Sequence, residues 1–315
     1  MLYYFNQSTN PYFNAALEDY IFSNKNISDD VILVWINEPS IFIGKNQNPY
    51  EEVKSLDTSI LDIPLIRRIS GGGTVFHDLG NINFSFIGKN KKLNEINFEL
   101  YNKFMIDMIN SLSFNTYSTS RKDIFLDGKK ISGSAQYIKG KNILYHATLL
   151  FDSDLDKLNF ILNNRDDVVS SSTKSVRSKV CNVSDFYNND LSSFIDDCFN
   201  YINTSFEEVS LLEFSMSDIS SIKDLEHSKY KSISWNYEKT PTFTISTSFI
   251  PINSQTSFDV YIEVSKWKIN RFTLSTSTDE YEIEELYGEL FFKHNIENKI
   301  KEEFPKLISL LNKIF

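Results

Sequence analysis

Only two cysteines, Cys181 and Cys198, occur in the 315 residues. Two thiols build neither a disulfide framework nor a cysteine-rich metal cluster. The histidines are His77, His146, His227 and His294, too scattered for a zinc-site spacing. No apolar run approaches the ~18–20 residues that cross a bilayer. The N-terminal stretch MLYYFNQSTNPYFNAALEDY lacks the basic start and apolar core of a signal peptide. A soluble cytoplasmic protein without a membrane partner is therefore expected. Positive charge is also scarce: 32 Lys and Arg face 42 Asp and Glu, a net charge of −10 with a pI near 5.0. That balance excludes a nonspecific nucleic-acid binder.

Apolar material is plentiful, with 26 Phe and 16 Tyr, enough for one large core or two of ordinary size. Asn10-Pro11 followed by YFNAALEDYIF predicts an N-cap, a proline in the first turn and an amphipathic helix. VILVWI (31–36) and SIFIGK (40–45) read as strands joined by a hairpin turn at Asn37-Glu38-Pro39. Residues 63–70, 74–78 and 82–88 continue the sheet, and 93–112 has helical spacing. DIFLD, KISGSAQYI and ILYHATLLF read as three further strands, followed by helices near 154–163 and 189–204. A serine-rich segment, 166–186, has no clear period. Alternating strands then resume and two helical segments close the chain, near 294–302 and 305–315. The fold class is α+β, a large domain with a mainly antiparallel sheet and flanking helices at 1–245, then a small α+β domain at 246–315.

The scarce cations are gathered. Arg67, Arg68, Arg121, Lys122, Lys129, Lys130, Lys174, Arg177 and Lys179 fall in three Gly- or Ser-rich segments, a pattern that suits an anionic ligand. Gly71, Gly72 and Gly73 follow Arg67-Arg68 and precede His77-Asp78. No helix opens after them, so they are neither a Walker loop nor a dinucleotide fingerprint. They read as a β-turn or as a loop that lets backbone approach a phosphate. His77 reads as a hydrogen-bonding residue beside it. Gly128 and Gly133 bracket Lys130, with Ser132 and Ser134 close by. An ammonium there can bridge a carboxylate and an α-phosphate and stabilise the transition state of acyl-adenylate formation. Asp123 suits a Mg²⁺ held against ATP oxygens, or equally a salt-bridged turn. Cys181 has no base beside it in sequence, and Cys198 lies on an amphipathic helix as a core residue.

The segments NPYFNAALEDYIF (10–22), IFIGKNQNPYEE (41–52), RRISGGGTVFHDLGNINFSF (67–86), GKKISGSAQ (128–136), YHATLLFDSDL (145–155) and SVRSKVCNVSDF (175–186) together resemble the lipoate–protein ligases of the long, two-domain type. WNYEKTPTF (235–243) is similar to the family's closing segment before its accessory domain. The resemblance implies the biotin/lipoate ligase-like fold. It also implies a reaction in which lipoate and Mg-ATP give lipoyl-AMP and pyrophosphate. The acyl group then passes to a lysine of a lipoyl domain of a 2-oxoacid dehydrogenase or of the glycine-cleavage H protein. A monomer acting on lipoate or octanoate is implied.

Carried onto this chain, the resemblance makes Lys130 the essential lysine. It puts Arg68, Gly73, Thr74, Val75 and Phe76 against ATP, with Ser70, Gly71 and Gly72 lining the lipoyl channel. His77, Asn81, Asp123, Ser132, His146 and Arg177 join the binding surface, and Asp123 reaches Mg²⁺ through ATP. Ser175 to Lys179 resembles a loop that closes over the adenylate and keeps water from it. Cys181 stands where the longer ligases commonly carry Thr. It keeps open an ATP-independent octanoyl- or lipoyl-transferase, or an amidotransferase, working through a thiol.

Overall fold

Asn10 starts the first helix as its sequence predicts. Its side-chain oxygen accepts from the N–H groups of Tyr12 and Phe13, Pro11 occupies the first turn, and α1 runs Pro11–Ser23. At its far end Lys89 Nζ donates to the carbonyls of Ile21, Phe22 and Asn24 at 2.8, 3.0 and 2.9 Å. A cation thus meets the negative end of the helix dipole and satisfies carbonyls the helix leaves open.

The structure is a computed structural model that describes residues 1–54, 63–162, 165, 167–250, 255–301 and 304–315. Positions 163, 166 and 302, at the margins of three segments expected from the sequence, lie outside the described residues. The chain forms two compact units. The first is Met1–Lys45, Pro64–Leu158 and Val176–Ser232, and the second is Asn46–Ile63, Asn159–Ser175 and Ile233–Phe315.

The first unit is built on a mixed six-stranded sheet. Its strands are β1 (Leu2–Phe5), β2 (Val31–Ile36), β6 (Asn81–Gly88), β10 (Ser134–Lys139), β11 (Asn142–Leu150) and β13 (Ser210–Leu211), in the order β10-β11-β6-β2-β1-β13. β1 runs parallel to β2 and β13, and the other pairs are antiparallel. One face carries Ile32, Val34, Ile82, Phe84, Phe86, Tyr145, Ala147 and Leu149, which share a core with the helices Phe98–Asn110 and Leu191–Ser205. By the period of two, Asn81, Asn83, Ser85 and His146 fall on the opposite face. Asn81, Asn83 and Ser85 are nevertheless buried, at 0, 2 and 0 % exposure. A buried polar sheet face is the first structural pointer to a site.

The expected hairpin between 31–36 and 40–45 does not form. Both edges of β2 are occupied by β1 and β6, so β3 (Ser40–Ile43) leaves for a separate sheet between β4 (Leu65–Arg67) and β5 (Val75–His77). Residues 63–70 and 74–78 therefore belong to this small sheet and do not extend the large one. A third sheet joins β7 (Tyr117–Ser118), β8 (Ile124–Leu126) and β9 (Lys129–Ser132). Asp127 and Gly128 turn β8 into β9 with φ of 49° and 72°, the pattern of a two-residue hairpin. The run KISGSAQYI is two strands and not one: it breaks at Gly133, with β9 in the small sheet and β10 in the large one.

In the second unit β12 (Val168–Ser170), β14 (Phe243–Phe249), β15 (Phe258–Ser265), β16 (Lys268–Ser275) and β17 (Glu280–Glu282) form one sheet in that order. Its core gathers Tyr50, Phe243, Trp267, Phe291 and Phe315, with ring centroids 4.9 to 6.4 Å apart in the contacting pairs. Tyr50 Oη donates to the Ile314 carbonyl at 2.7 Å. A single boundary at 245 would cut through β14, and it misses the earlier segments that this unit draws in. The serine-rich segment contributes β12, whose pairing with β14 supplies structure that its composition does not announce.

Candidate active site

The glycine loop is shaped by the arginine beside it. Arg68, 6 % exposed, sends Nη2 to the carbonyls of Gly71 and Gly73 at 2.6 and 2.7 Å. Its Nη1 reaches the Phe42 carbonyl at 3.1 Å, and its Nε reaches Ser70 Oγ at 3.0 Å. Because a trans peptide sets C=O and the following N–H in opposite directions, pulling the Gly71 carbonyl onto Arg68 turns the Gly72 N–H away from it. Among the described residues, the N–H groups of Gly71, Gly72 and Gly73 have no protein acceptor. The loop therefore offers donors for an anion. Gly72 has φ of 90°, and a Cβ there would lie 3.0 Å from Arg68 Nη2 and 3.3 Å from Ala135 Cβ. Only glycine tolerates that backbone so close to both neighbours.

Ser70, at the loop entrance, is fully buried, and its Oγ lies 2.7 Å from His146 Nε2. His146 Nδ1 lies 2.9 Å from Glu18 Oε1 on α1. Ser70 and His146, far apart in sequence, are thus brought together. Glu18 was missed by the sequence reading. The available signal was an acidic residue in the same helical register as Asn14 and Phe22, both buried.

Lys130 stands on β9 and not in a surface loop. Its N–H donates to the Lys179 carbonyl at 2.8 Å, and its carbonyl accepts from the Cys181 N–H at 3.2 Å. Nζ pairs with Asp123 Oδ1 at 2.8 Å, with side-chain exposures of 22 and 15 %. A Cβ on Gly133 would come within 3.0 Å of that Nζ, so this glycine clears the ammonium's position. Two residues on, Ala135 faces Gly72 and pairs with His146 across β10 and β11. The segment 133–135 joins the lysine to the glycine loop.

The remaining sequence candidates divide into buried supports and exposed groups. Thr74, Phe76 and His77 are buried, and Val75 is half-buried on β5. His77 Nδ1 lies 2.9 Å from Asn37 Nδ2, and its ring stacks on Phe42 with centroids 4.5 Å apart. Burial, then the charges of Arg68 and His146, push His77 down to about 3, so the ring stays neutral and structural. Asn81 donates to Asn83 Oδ1 at 3.2 Å. Asn81 Oδ1 and Ser132 Oγ are buried without a protein partner among the described residues. Arg177 is exposed.

Residues 10–206 match the family model described as the lipoyl protein ligase A/B catalytic domain. The lipoate-protein ligase LplJ of Bacillus subtilis is 35% identical over 276 residues, which cover 85% of this chain and 82% of that protein. Lipoate–protein ligase 1 of Staphylococcus aureus is 37% identical over 243 residues, 76% of this chain and 73% of its own. The chain belongs to the lipoate–protein ligase family. A crystal structure of lipoate-protein ligase A bound with ATP shares the fold of the ligase, at a TM-score of 0.60 and 24% identity, over 75% of this chain and 96% of that one.

Within the ligase, Cys181 is 2 % exposed in the core of the first unit, and its thiol points to the Leu126 carbonyl at 3.8 Å. Burial pushes that thiol up, against a smaller opposing effect of Lys129. This is the environment of an inert packed cysteine and not of an acyl-enzyme nucleophile. Cys181→Ser is expected to retain at least about a third of the wild-type acylation rate, since packing changes of this size cost ~1 kcal/mol. A rate below a hundredth, in folded protein, would restore the thiol mechanism.

The serine-rich segment of the ligase, as far as Ser175, is fastened within the second unit. Glu51 and Glu52 are each 1 % exposed. Glu51 accepts from Ser170 Oγ at 2.8 Å and from Ser172 Oγ, and it pairs with Lys174 Nζ at 2.8 Å. Glu52 accepts from the Ser175 N–H at 3.0 Å and from its hydroxyl. The serines that blurred any periodicity are hydrogen-bonding partners for two buried carboxylates.

Proposed function

We propose that this ligase joins lipoate to a lysine of an acceptor lipoyl domain in two steps, through lipoyl-AMP. The observation that carries this reading is Lys130 Nζ, held by Asp123 at 2.8 Å on a strand continuous with the segment that faces the glycine loop. In the first step a carboxylate oxygen of lipoate attacks the α-phosphorus of ATP, and the bond to the pyrophosphate oxygen breaks. Negative charge gathers on the phosphoryl oxygens. The Lys130 ammonium stabilises it while keeping its proton, so no tuned basicity is needed. The N–H groups of Gly71 to Gly73, without a protein acceptor among the described residues, add donors, and Arg68 adds positive charge while keeping the loop in shape.

In the second step the deprotonated amine of the acceptor lysine attacks the acyl carbon. The bond between that carbon and the AMP oxygen breaks, and the nitrogen loses a proton. The segment Ser175 to Lys179 is assigned the covering role, because a mixed anhydride hydrolyses where water reaches it.

Mg²⁺ bound with ATP would neutralise phosphate charge, and Asp123 would be the carboxylate that shares it. Among the described residues no three His, Cys, Asp or Glu side chains cluster as a metal site. Lipoate or octanoate is the acid, and a lipoyl domain or the glycine-cleavage H protein is the acceptor.

The test is lipoate-dependent exchange of labelled pyrophosphate into ATP in the presence of Mg²⁺. Exchange is expected without any acceptor protein. Its absence from folded protein, together with acyl transfer from an octanoyl carrier, would overturn the reading.

A further inference from the structure

A buried hydrogen-bond chain connects the large sheet and α1 to the glycine loop. Its outer end is the Trp35 indole, whose Nε1–H donates to Ser85 Oγ at 3.0 Å. An indole nitrogen only donates, so the Ser85 proton goes onward, to Glu18 Oε1 at 2.5 Å. His146 Nδ1 lies 2.9 Å from that same oxygen, and His146 Nε2 lies 2.7 Å from Ser70 Oγ. The inner end is again a pure donor, Arg68 Nε–H to Ser70 Oγ at 3.0 Å. The acceptor-only carboxylate between these donors sets the sense of the bonds on either side of it. The carboxylate in the middle only accepts, so the proton of a neutral imidazole sits on Nδ1, Nε2 becomes an acceptor, and the Ser70 hydroxyl points at it. The alternative acceptor for that hydroxyl, the Gly71 carbonyl, is farther away at 3.4 Å.

The members of this chain have little access to water that could replace a lost partner: Glu18 is 4 %, Trp35 3 %, and Ser70 and Ser85 0 % exposed. Burial pushes the Glu18 carboxyl up. The hydrogen bonds of His146 and the Ser85 hydroxyl, with the Arg68 charge, act against it and hold the carboxyl below its ordinary value. The loop at the other end needs outside support. Its three glycines carry no side chains, and Gly72 sits at φ of 90°. Arg68 grips the loop by its carbonyls, and Ser70 anchors its entrance.

We propose that Glu18 is a positioning residue of the ligase: through the His146 tautomer and the Ser70 hydroxyl it keeps the N–H groups of Gly71 to Gly73 aimed at the anionic substrate. This role rests on the ligase reading above. Glu18 acts through His146, and its carboxylate selects which ring nitrogen carries the proton.

Glu18→Gln keeps the shape and removes the charge. Its amide oxygen accepts more weakly than a carboxylate, so the Nδ1–H tautomer loses its preference and the Nε2–H tautomer, which turns the Ser70 hydroxyl away, gains. In the exchange assay KM for lipoate and ATP is expected to rise about tenfold, the scale of one charge-assisted hydrogen bond, with kcat changed less than about threefold. The ¹⁵N signals of His146 should switch from the Nδ1–H to the Nε2–H pattern. Combined with Ser70→Ala, Glu18→Gln should add no further loss, because both act through one contact. An unchanged KM and tautomer pattern, or fully additive losses, would overturn the proposal. If wild-type protein shows no exchange, the ligase reading fails while the tautomer comparison still reports on the relay. Should Glu18→Gln not fold, Ser85→Ala removes the outer donor to the carboxylate, along with the acceptor of the Trp35 indole N–H, and is judged by the same double-variant criterion.

Discussion

Lys130→Met should lower lipoate-dependent pyrophosphate–ATP exchange by about a thousandfold, the upper range for removing one group that stabilises transition-state charge. Methionine keeps an unbranched apolar stem and loses only the ammonium and its pairing. The backbone bonds of residue 130 to Lys179 and Cys181 do not involve the side chain, so β9 keeps its neighbours. Asp123 loses its partner at 15 % side-chain exposure, a cost of about 1–3 kcal/mol that thermal unfolding registers. Lys130→Arg should fail nearly as badly. A guanidinium spreads its charge over a planar fork and does not put a compact ammonium at the position that Asp123 holds. Exchange and thermal unfolding measured together separate chemistry from stability. A loss under tenfold for Lys130→Met would remove this residue from the centre of the site.

Gly80→Ala should cost more than about 4 kcal/mol, a large part of the ~5–15 kcal/mol that stabilises an ordinary domain. A Cβ at this position would lie 2.0 Å from the Asp152 carbonyl oxygen, 2.2 Å from its carbon and 2.6 Å from the Ser153 nitrogen. These are backbone atoms, so no side chain can swing aside. The strand end after β11 cannot retreat either, because the N–H groups of Phe151 and Asp152 both donate to the Gly80 carbonyl at 2.9 Å. A fall in Tm of more than about 8 °C, or loss of soluble protein, is expected. Gly71→Ala is the control for stability, since nothing lies within 4 Å of its added methyl group. A Tm within about 2 °C of wild type for Gly80→Ala would show that the two segments separate more easily than their hydrogen bonds imply.

Gly80 also shows where sequence reading stops. It belongs to the HDLGN stretch beside the glycine loop, and nothing local distinguishes a glycine that spares a ligand from one that spares a distant backbone. Lys266 and Trp267 make the complementary point. They turn β15 into β16 with φ of 49° and 60°, a conformation that usually announces itself with Asn or Gly. Trp267 is instead fixed by burial at 0 % exposure among Tyr237, Phe243 and Phe291.

Local chemistry suffices for much of this protein. The Asn10-Pro11 cap acts through neighbours a few residues away and was legible in the chain, and the glycine run beside Arg68 and the lysine between Gly128 and Gly133 stood out in it as motifs. The Asp127-Gly128 turn acts as locally, though DIFLD read as a strand through Asp127. The α+β class was legible too, since it follows from apolar periodicity alone. Pairing partners and buried polar contacts were not legible. β3 abandons β2 because another strand already holds that edge, the second unit needs Tyr50 and β12 from far upstream, and Glu18 meets His146 across 128 positions. Such contacts depend on which surfaces the packed sheet brings together, a long-range outcome that no window of sequence contains.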